Sequence, residues 1–255
     1  MNLITTAVTD IGIRKETNQD SLLIKTANTL IGKIAFAVIC DGMGGLAKGE
    51  VASATVINTF RNWFSNDLPN LIDNGITDDK IKTQWTEIVK NQNQIIMDYG
   101  KKSGINLGTT VCAVLITENR YYCMNVGDSR CYEISDSLKQ ITKDQTLVQR
   151  EYEAGRLTLE ELKTDPRRSV LLQCVGSSKE VNPDYYFGQP SYNGTYLLCS
   201  DGFRHEITEE EIYSFLKPDC LIDKESMNKN ISILIETNKQ RGETDNITAL
   251  ALRCF

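Results

Sequence analysis

Apolar positions in this chain fall into two kinds of run. Some are short, continuous and rich in β-branched or aromatic residues: 30–40, which contains Ala35-Phe36-Ala37-Val38-Ile39-Cys40, then 109–116, 120–126, 130–134, 195–199 and 247–254. Runs of this length bounded by turn residues predict buried strands. Others recur every three to four residues. Val51, Ala54, Ile57, Phe60 and Phe64 predict an amphipathic helix over 48–64, and Ile81, Trp85, Ile88, Gln92, Ile95 and Tyr99 form one stripe of a second. Two more helices are predicted over 209–216, where Thr208 precedes Glu209-Glu210-Glu211 as an N-cap, and over 224–238. The spacers Thr117-Glu118-Asn119 and Gly127-Asp128-Ser129 are too short for a crossover, so the strands they join are expected to be antiparallel neighbours. Strands and helices in blocks, without strict alternation, predict an α+β fold of antiparallel sheets covered by helices.

No internal repeat, low-complexity tract or Pro/Ser-rich linker divides the 255 residues, and a single domain over 1–255 is expected. An exposed excursion is expected at about 144–180, where the polar stretch 147–162 runs into Asp165-Pro166-Arg167-Arg168. Lys and Arg number 28 against 34 Asp and Glu and are scattered, giving a net charge of −6. That pattern argues against nucleic acid or an anionic membrane surface as the main partner. No basic-then-apolar leader opens the sequence, and no run approaches the roughly 18 apolar residues of a membrane span, so a cytoplasmic location is expected. Eight cysteines form no Cys-x-x-Cys pair and mostly sit in apolar runs, as buried small side chains do.

Four acids share one local design: Asp41, Asp128, Asp201 and Asp245 each lie beside a glycine or small polar residue and are expected at the tips of apolar strands. In this reading Asp41-Gly42-Met43-Gly44-Gly45 ends its strand in a tight turn. Any one of these alone is a common turn signal. If the tips share one edge, however, the carboxylates meet within a few Å and at least one pKa rises, a conflict that a bound cation removes. Oxygen ligands alone select hard divalent ions such as Mg²⁺ or Mn²⁺. The Gly42 carbonyl, with no side chain beside it, could approach such an ion. The one histidine, His205, rules out a His-rich metal site and reads as a helix-start or surface residue.

Six short motifs, in order, resemble one family. They are Asp10-x-Gly12-x-x-x-x-x-Asn18-Gln19-Asp20, Asp41 to Gly45 followed by Gly49-Glu50-Val51-Ala52-Ser53, Gly108-Thr109-Thr110, Val126-Gly127-Asp128-Ser129-Arg130, Leu198-Cys199-Ser200-Asp201-Gly202, and Asp245-Asn246-Ile247-Thr248. The chain resembles the metal-dependent serine/threonine protein phosphatases, the PPM or type 2C family, in their compact bacterial form. The resemblance implies a central antiparallel β-sandwich flanked by α-helices on both faces, with the metals at one end. It implies two core Mn²⁺ or Mg²⁺ ions, bridged by Asp41, with the Gly42 carbonyl on one and Asp201 and Asp245 completing the other. Asp128 with Asp201 would hold a third, weaker ion. Asp20 and Gln19 would order metal-bound waters, and Asn246 would support Asp245. Phosphoserine and phosphothreonine esters would be hydrolysed by a water or hydroxide held between the two metals, with Asp41, Asp201 and Asp245 as the catalytic set. The implied partners are phosphorylated proteins, the substrates of a bacterial-type Ser/Thr kinase, met by a cytoplasmic monomer.

Departures from the family pattern bear on the phosphate and the leaving group. The phosphate-gripping arginine is expected five residues before Asp20, where Lys15 stands, with Arg14 one step earlier; an extended segment favours Lys15 and a bulge favours Arg14. Met43 stands where animal relatives carry a histidine thought to act as general acid, so modest turnover on poor leaving groups is expected. Thr142-Lys143-Asp144-Gln145-Thr146 replaces the family's Thr-x-Asp-His-(Ser/Thr), and Arg167 and Arg168 read as a solvated basic spot on the flap. A pseudophosphatase, keeping the fold to capture phosphoproteins, and a narrow-range enzyme for one regulatory phosphoprotein are the alternatives.

Overall fold

The structure, a computed structural model, describes residues 1–44 and 48–255. In chain order its strands are β1 Leu3–Asp10, β2 Asp20–Thr29, β3 Gly32–Gly44, β4 Leu107–Thr109, β5 Val111–Ile116, β6 Tyr121–Val126, β7 Arg130–Ile134, β8 Leu138–Gln140, β9 Asp184–Gly188, β10 Gly194–Cys199 and β11 Ile247–Cys254. The helices are α1 Gly49–Asn62, α2 Leu68–Asp73, α3 Asp78–Ser103, α4 Leu147–Glu153, α5 Leu159–Thr164, α6 Glu209–Leu216 and α7 Lys224–Gln240. One antiparallel sheet runs β1-β11-β10-β7-β8 and the other β2-β3-β5-β6-β9, with β4 pairing the far end of β3.

Alternation along β3 shows how the layers stack. Ala35, Ala37 and Ile39 point into a core shared with Tyr196, Leu198, Leu250 and Leu252 of the facing sheet. Phe36, Val38 and Cys40, on the other face of the same strand, pack under α1 and α3 with Phe60, Trp63 and Trp85. The second sheet does the same: Leu197, Cys199, Ala249 and Ala251 turn outward to Met227, Ile231 and Leu234 of α7. The result is the expected sandwich with helices on both faces, four layers and three dry interfaces. Strands buried on both faces read as unbroken apolar runs, which is why these were visible in the sequence.

Several expectations need correction. On α3 the buried stripe is Ile81, Trp85, Val89, Gln92, Asn93, Ile96 and Gly100, one step around from the expected Ile88, Ile95 and Tyr99, and Ile95 and Tyr99 are exposed. The helix expected over 48–64 ends at Asn62 and passes through a π-helical turn, Trp63–Asp67, into α2. The glycine-rich run after Cys40 does not end its strand: β3 continues through Gly44, exchanging β5 for β4 as its partner. Gly45, the last residue of that run, lies outside the described residues. Residues 144–180 contain α4 and α5 and return to the body through a backbone pair between Thr109 and Val175 (2.8 and 2.9 Å). The Asn93 side chain holds that return from α3, accepting from Gly176 N–H (2.7 Å) and donating to Ser178 O (2.9 Å). Arg167 is spent locally on Asp165, with two side-chain contacts of 2.7 and 3.0 Å. Among the described residues no helix is long and apolar enough to cross a membrane.

The helix-side core centres on Phe36, whose ring lies 5.3 Å from Trp63, 5.7 Å from both Phe64 and Trp85, and 6.0 Å from Phe60. Truncation leaves a cavity that four rigid rings cannot collapse into, so Phe36→Ala should cost about 3–5 kcal/mol in urea denaturation at unchanged m-value.

Candidate active site

All five acids of interest arrive at one end of the sandwich. Antiparallel pairing puts the end of β10 beside the starts of β7 and β11, and the start of β2 beside Asp41 on β3. Asp20 opens β2 and is the register partner of Asp41; Asp128 sits in the β6–β7 turn, Asp201 just after β10, and Asp245 two residues before β11. Asp41 is therefore inside a strand, not at its tip. Its backbone is gripped where β3 changes partner: its N–H donates to Thr110 Oγ1 (2.9 Å), and its carbonyl accepts from Thr110 N–H (2.9 Å) and Thr109 Oγ1 (2.9 Å). Thr110 and Ser129 share a hydroxyl hydrogen bond (2.7 Å), which ties this point to the turn carrying Asp128.

Electrostatics follow from that convergence. Burial, then the neighbouring carboxylates Asp20, Asp201, Asp128 and Asp245, push Asp41 well above the ordinary carboxylate range. Asp20 is pushed up to about 7, chiefly by burial, with Thr248 and Ser200 partly opposing the rise. Asp128 is also raised to about 7, by burial and Asp201, against the pull of Arg204. The Ser200 hydroxyl donates to Asp20 Oδ2 (3.0 Å), a bond from one sheet to the other.

Two protein cations, Lys15 and Arg204, stand against two of these acids, and His205 lies beside a third. Lys15 Nζ lies 2.8 Å from Asp245 Oδ1. Burial opposes its charge, but Asp245, Asp41 and Asp201 outweigh that and raise its pKa. Arg204 donates to the Asp128 carbonyl (3.0 Å) and stands 3.6 Å from its Oδ2 and 3.4 Å from Asp144 Oδ2. Asp144 in turn grips Arg130 with two contacts of 2.8 Å. Burial works against the Asp144 charge, and the two guanidinium groups overcome it, holding that carboxyl below its usual range. His205 is no surface histidine: it is nearly buried, with Nδ1 3.0 Å from Glu243 Oε2 and Nε2 3.5 Å from Asp201 Oδ2.

Residues 11–19 are folded in turns, neither an extended strand nor a bulge, so strand parity does not decide between Arg14 and Lys15. Gly12, at φ +78°, packs where a Cβ would collide with the Asp245 carbonyl. Asn246 staples the loop from below, donating to Ile11 O (2.9 Å) and Thr17 O (3.2 Å) and accepting from Gln19 N–H (2.9 Å). Its side chain thus positions this loop and not the Asp245 carboxylate, although its N–H does donate to Asp245 Oδ1 (2.7 Å). Both Arg14 and Lys15 are exposed, and it is Lys15 that reaches Asp245. Gly42 also has a packing reason to be glycine, since a Cβ would run into the backbone of Gly49 and Gln19. The Gln19 carbonyl accepts from Gly42 N–H (3.1 Å), and its amide, in the orientation that satisfies both ends, donates to Gly42 O (3.2 Å) and accepts from Gly49 N–H (3.2 Å).

The donor set fits a hard divalent cation. Asp20 Oδ1 and Asp201 Oδ1 are buried with no hydrogen-bond partner, and burial with mutual repulsion raises Asp20 and Asp41 above the carboxylate range, a conflict that a bound ion would relieve. Among the described residues no three acidic, His or Cys side chains already form a closed ligand set. Lys15, Arg204 and His205 instead share the carboxylates out between them.

Comparison with known proteins decides the family. A model of the protein phosphatase 2C family matches residues 13–234. The chain belongs to the protein phosphatase 2C family. It is 30% identical over 217 residues to the serine/threonine phosphatase stp of Listeria welshimeri, covering 84% of this chain and 82% of that one. A solved structure of the S. agalactiae serine/threonine phosphatase superposes with a TM-score of 0.85 at 25% identity, covering all of both chains. The catalytic domain of the serine/threonine phosphatase PstP, solved with two manganese ions, superposes with a TM-score of 0.77 at 30% identity over 98% of this chain and 97% of that one.

In this member of the family the sequence reading gathered the acids but missed what holds them. Arg204 and Glu243 carried no motif signal, and Asp144 and Gln145 stood in a family motif without a role assigned to either. Gln145 buckles the Asp128 turn to the flap base, accepting from Gly127 N–H (2.8 Å) and donating backbone N–H to Gly127 O (3.0 Å).

The raised carboxylates make a pH prediction for metal-stripped protein. Asp20 and Asp128 bind protons more tightly folded than unfolded, so their contribution to stability is full below about pH 4 and is lost as pH rises through about 7. Thermal melts in EDTA should therefore give a Tm that falls between pH 5 and pH 8, and saturating Mn²⁺ should remove that slope.

Proposed function

We propose that this protein phosphatase 2C family member hydrolyses phosphoserine and phosphothreonine esters of proteins with two Mn²⁺ or Mg²⁺ ions held at the acidic end of the sandwich. The convergence of Asp41, Asp201 and Asp245 on one end, with Lys15 beside them, carries the reading. Asp41 would bridge the ions, the Gly42 carbonyl would meet one, and Asp201 and Asp245 the other; Asp128 with Asp201 would take a third, weaker ion. Bound there, the ions supply an activated water for in-line attack on phosphorus and offset charge on the phosphate.

The chain's own residues set the rest. Lys15, which reaches Asp245, would receive a phosphate oxygen as a point charge in exchange for that carboxylate, and Arg14 would serve at most the outer approach. Asp20 and Gln19 would order water around the ions, Gln19 through the Gly42 peptide it clamps. A thiolate nucleophile has no support: burial pushes Cys40, Cys123 and Cys131 well above the ordinary thiol range. Met43 offers no proton, so the leaving alkoxide takes one from solvent, and activated esters should turn over faster than serine esters. The substrates would be phosphoproteins made by a bacterial-type Ser/Thr kinase and met in the cytoplasm by a monomer.

Hydrolysis of p-nitrophenyl phosphate and of a phosphothreonine peptide tests this, with Mn²⁺, with EDTA and with Asp201→Asn. Activity should require the metal and vanish in the variant; a wild-type protein inert on both substrates while still binding Mn²⁺ would favour the capture-only alternative. Lys15→Ala should raise KM about tenfold, ~1.4 kcal/mol of phosphate binding, with a smaller effect on kcat. Arg14→Ala should leave both near wild type.

A further inference from the structure

His205 and Glu243 have no part in the reaction proposed above, yet both are nearly buried beside it. His205 lies in the loop after the short 3-10 turn Asp201–Phe203, and Glu243 lies just before Asp245. The pair spans the two segments that carry Asp201 and Asp245. Glu243 Oε1 accepts the backbone N–H of Thr244 (2.6 Å) and of Asp245 (2.8 Å), which fixes the turn from which Asp245 projects. Glu243 Oε2 faces His205 Nδ1 at 3.0 Å. An imidazole pinned at one nitrogen by an anchored carboxylate has little freedom left, and its Nε2 lies 3.5 Å from Asp201 Oδ2, an ion-pair contact when the ring is protonated.

At Asp201 the two carboxylate oxygens are thereby made unequal. Oδ2 faces the imidazole, whereas Oδ1 is buried with no hydrogen-bond partner. We propose that the Glu243–His205 pair is a positioning device that commits Asp201 Oδ2 to the protein, presents Oδ1 to a divalent ion, and sets the spacing of Asp201 from Asp245. It rests on the reading of Asp201 as a metal ligand. A simpler role competes with it: His205 satisfying a buried Glu243, with Asp201 nearby by coincidence.

The two roles differ in which end of the imidazole matters. Glutamine at 205 places its amide near the position of Nε2, toward Asp201, and asparagine places it near Nδ1, toward Glu243. The experiment is Mn²⁺ titration of the metal-stripped full chain by calorimetry and by EPR, with thermal melts in EDTA alongside. His205→Ala and Glu243→Gln should raise the Mn²⁺ Kd roughly ten- to hundredfold. His205→Gln should recover part of that loss and His205→Asn should not. Wild-type Kd in the variants, or asparagine recovering as well as glutamine, overturns the proposal. If the alanine variant does not fold, the glutamine–asparagine comparison decides by itself. A wild-type chain that binds no Mn²⁺ sinks the metal reading together with this one, whereas a wild-type chain that binds it, with unchanged variants, sinks this one alone.

Discussion

Charge balance at the mouth of a dry sandwich is the constraint on which this structure turns. Two antiparallel sheets return their strand ends to one edge, and there Asp20, Asp41, Asp128 and Asp201 are drawn out of water together, with Asp245 at the rim. Buried carboxylates without compensation are not tolerated, so each must hold a proton, meet a protein cation or bind an ion. The protein uses the first two visibly. Lys15 and Arg204 stand against Asp245 and Asp128, while Asp41 and Asp20 are driven toward their protonated forms. Catalysis by bound ions would be the third answer to the same demand.

Around that demand the backbone is arranged for close approach. Gly42 and Gly49 touch through their main chains, and Gly12 rests on the peptide of Asp245. A reading of Gly42 as glycine only for the sake of an ion therefore covers half of the reason. The other half is that three chain segments must cross within one backbone width of Asp41, and Asn246 and Gln19 supply the hydrogen bonds that such crowded peptides would otherwise lack.

What the sequence displayed and what it hid divide along a physical line. The strands with a neighbour on each side, β3, β5, β6, β7, β10 and β11, are apolar on both faces and were legible. β1, β8, β2 and β9 were not, and they are the four sheet edges. An edge strand such as Asp20–Thr29 is only half buried, carries Lys25 on one face and the exposed Thr26 and Asn28 on the other, and lacks an unbroken apolar run. The site divides similarly. Its acids stand out because they flank apolar runs beside a glycine or a small polar residue. Arg204, His205, Glu243 and Asp144 meet only through folding, and no spacing in the chain announces a partner 38 or 76 residues away.

The hydroxyl of Ser200 reaching Asp20 joins the two sheets at the acidic edge. Between those sheets lie Ala35 and Ala37, small side chains facing Leu250, Leu252 and Tyr196. The thickness of that filling sets how far apart the two halves of the acidic edge stand, since Asp20 and Asp41 ride on one sheet and Asp201 and Asp245 on the other. The sandwich core is in this sense the calliper of the site: a methyl group added between the sheets, far from any phosphate, would be read at the mouth as a change in carboxylate separation.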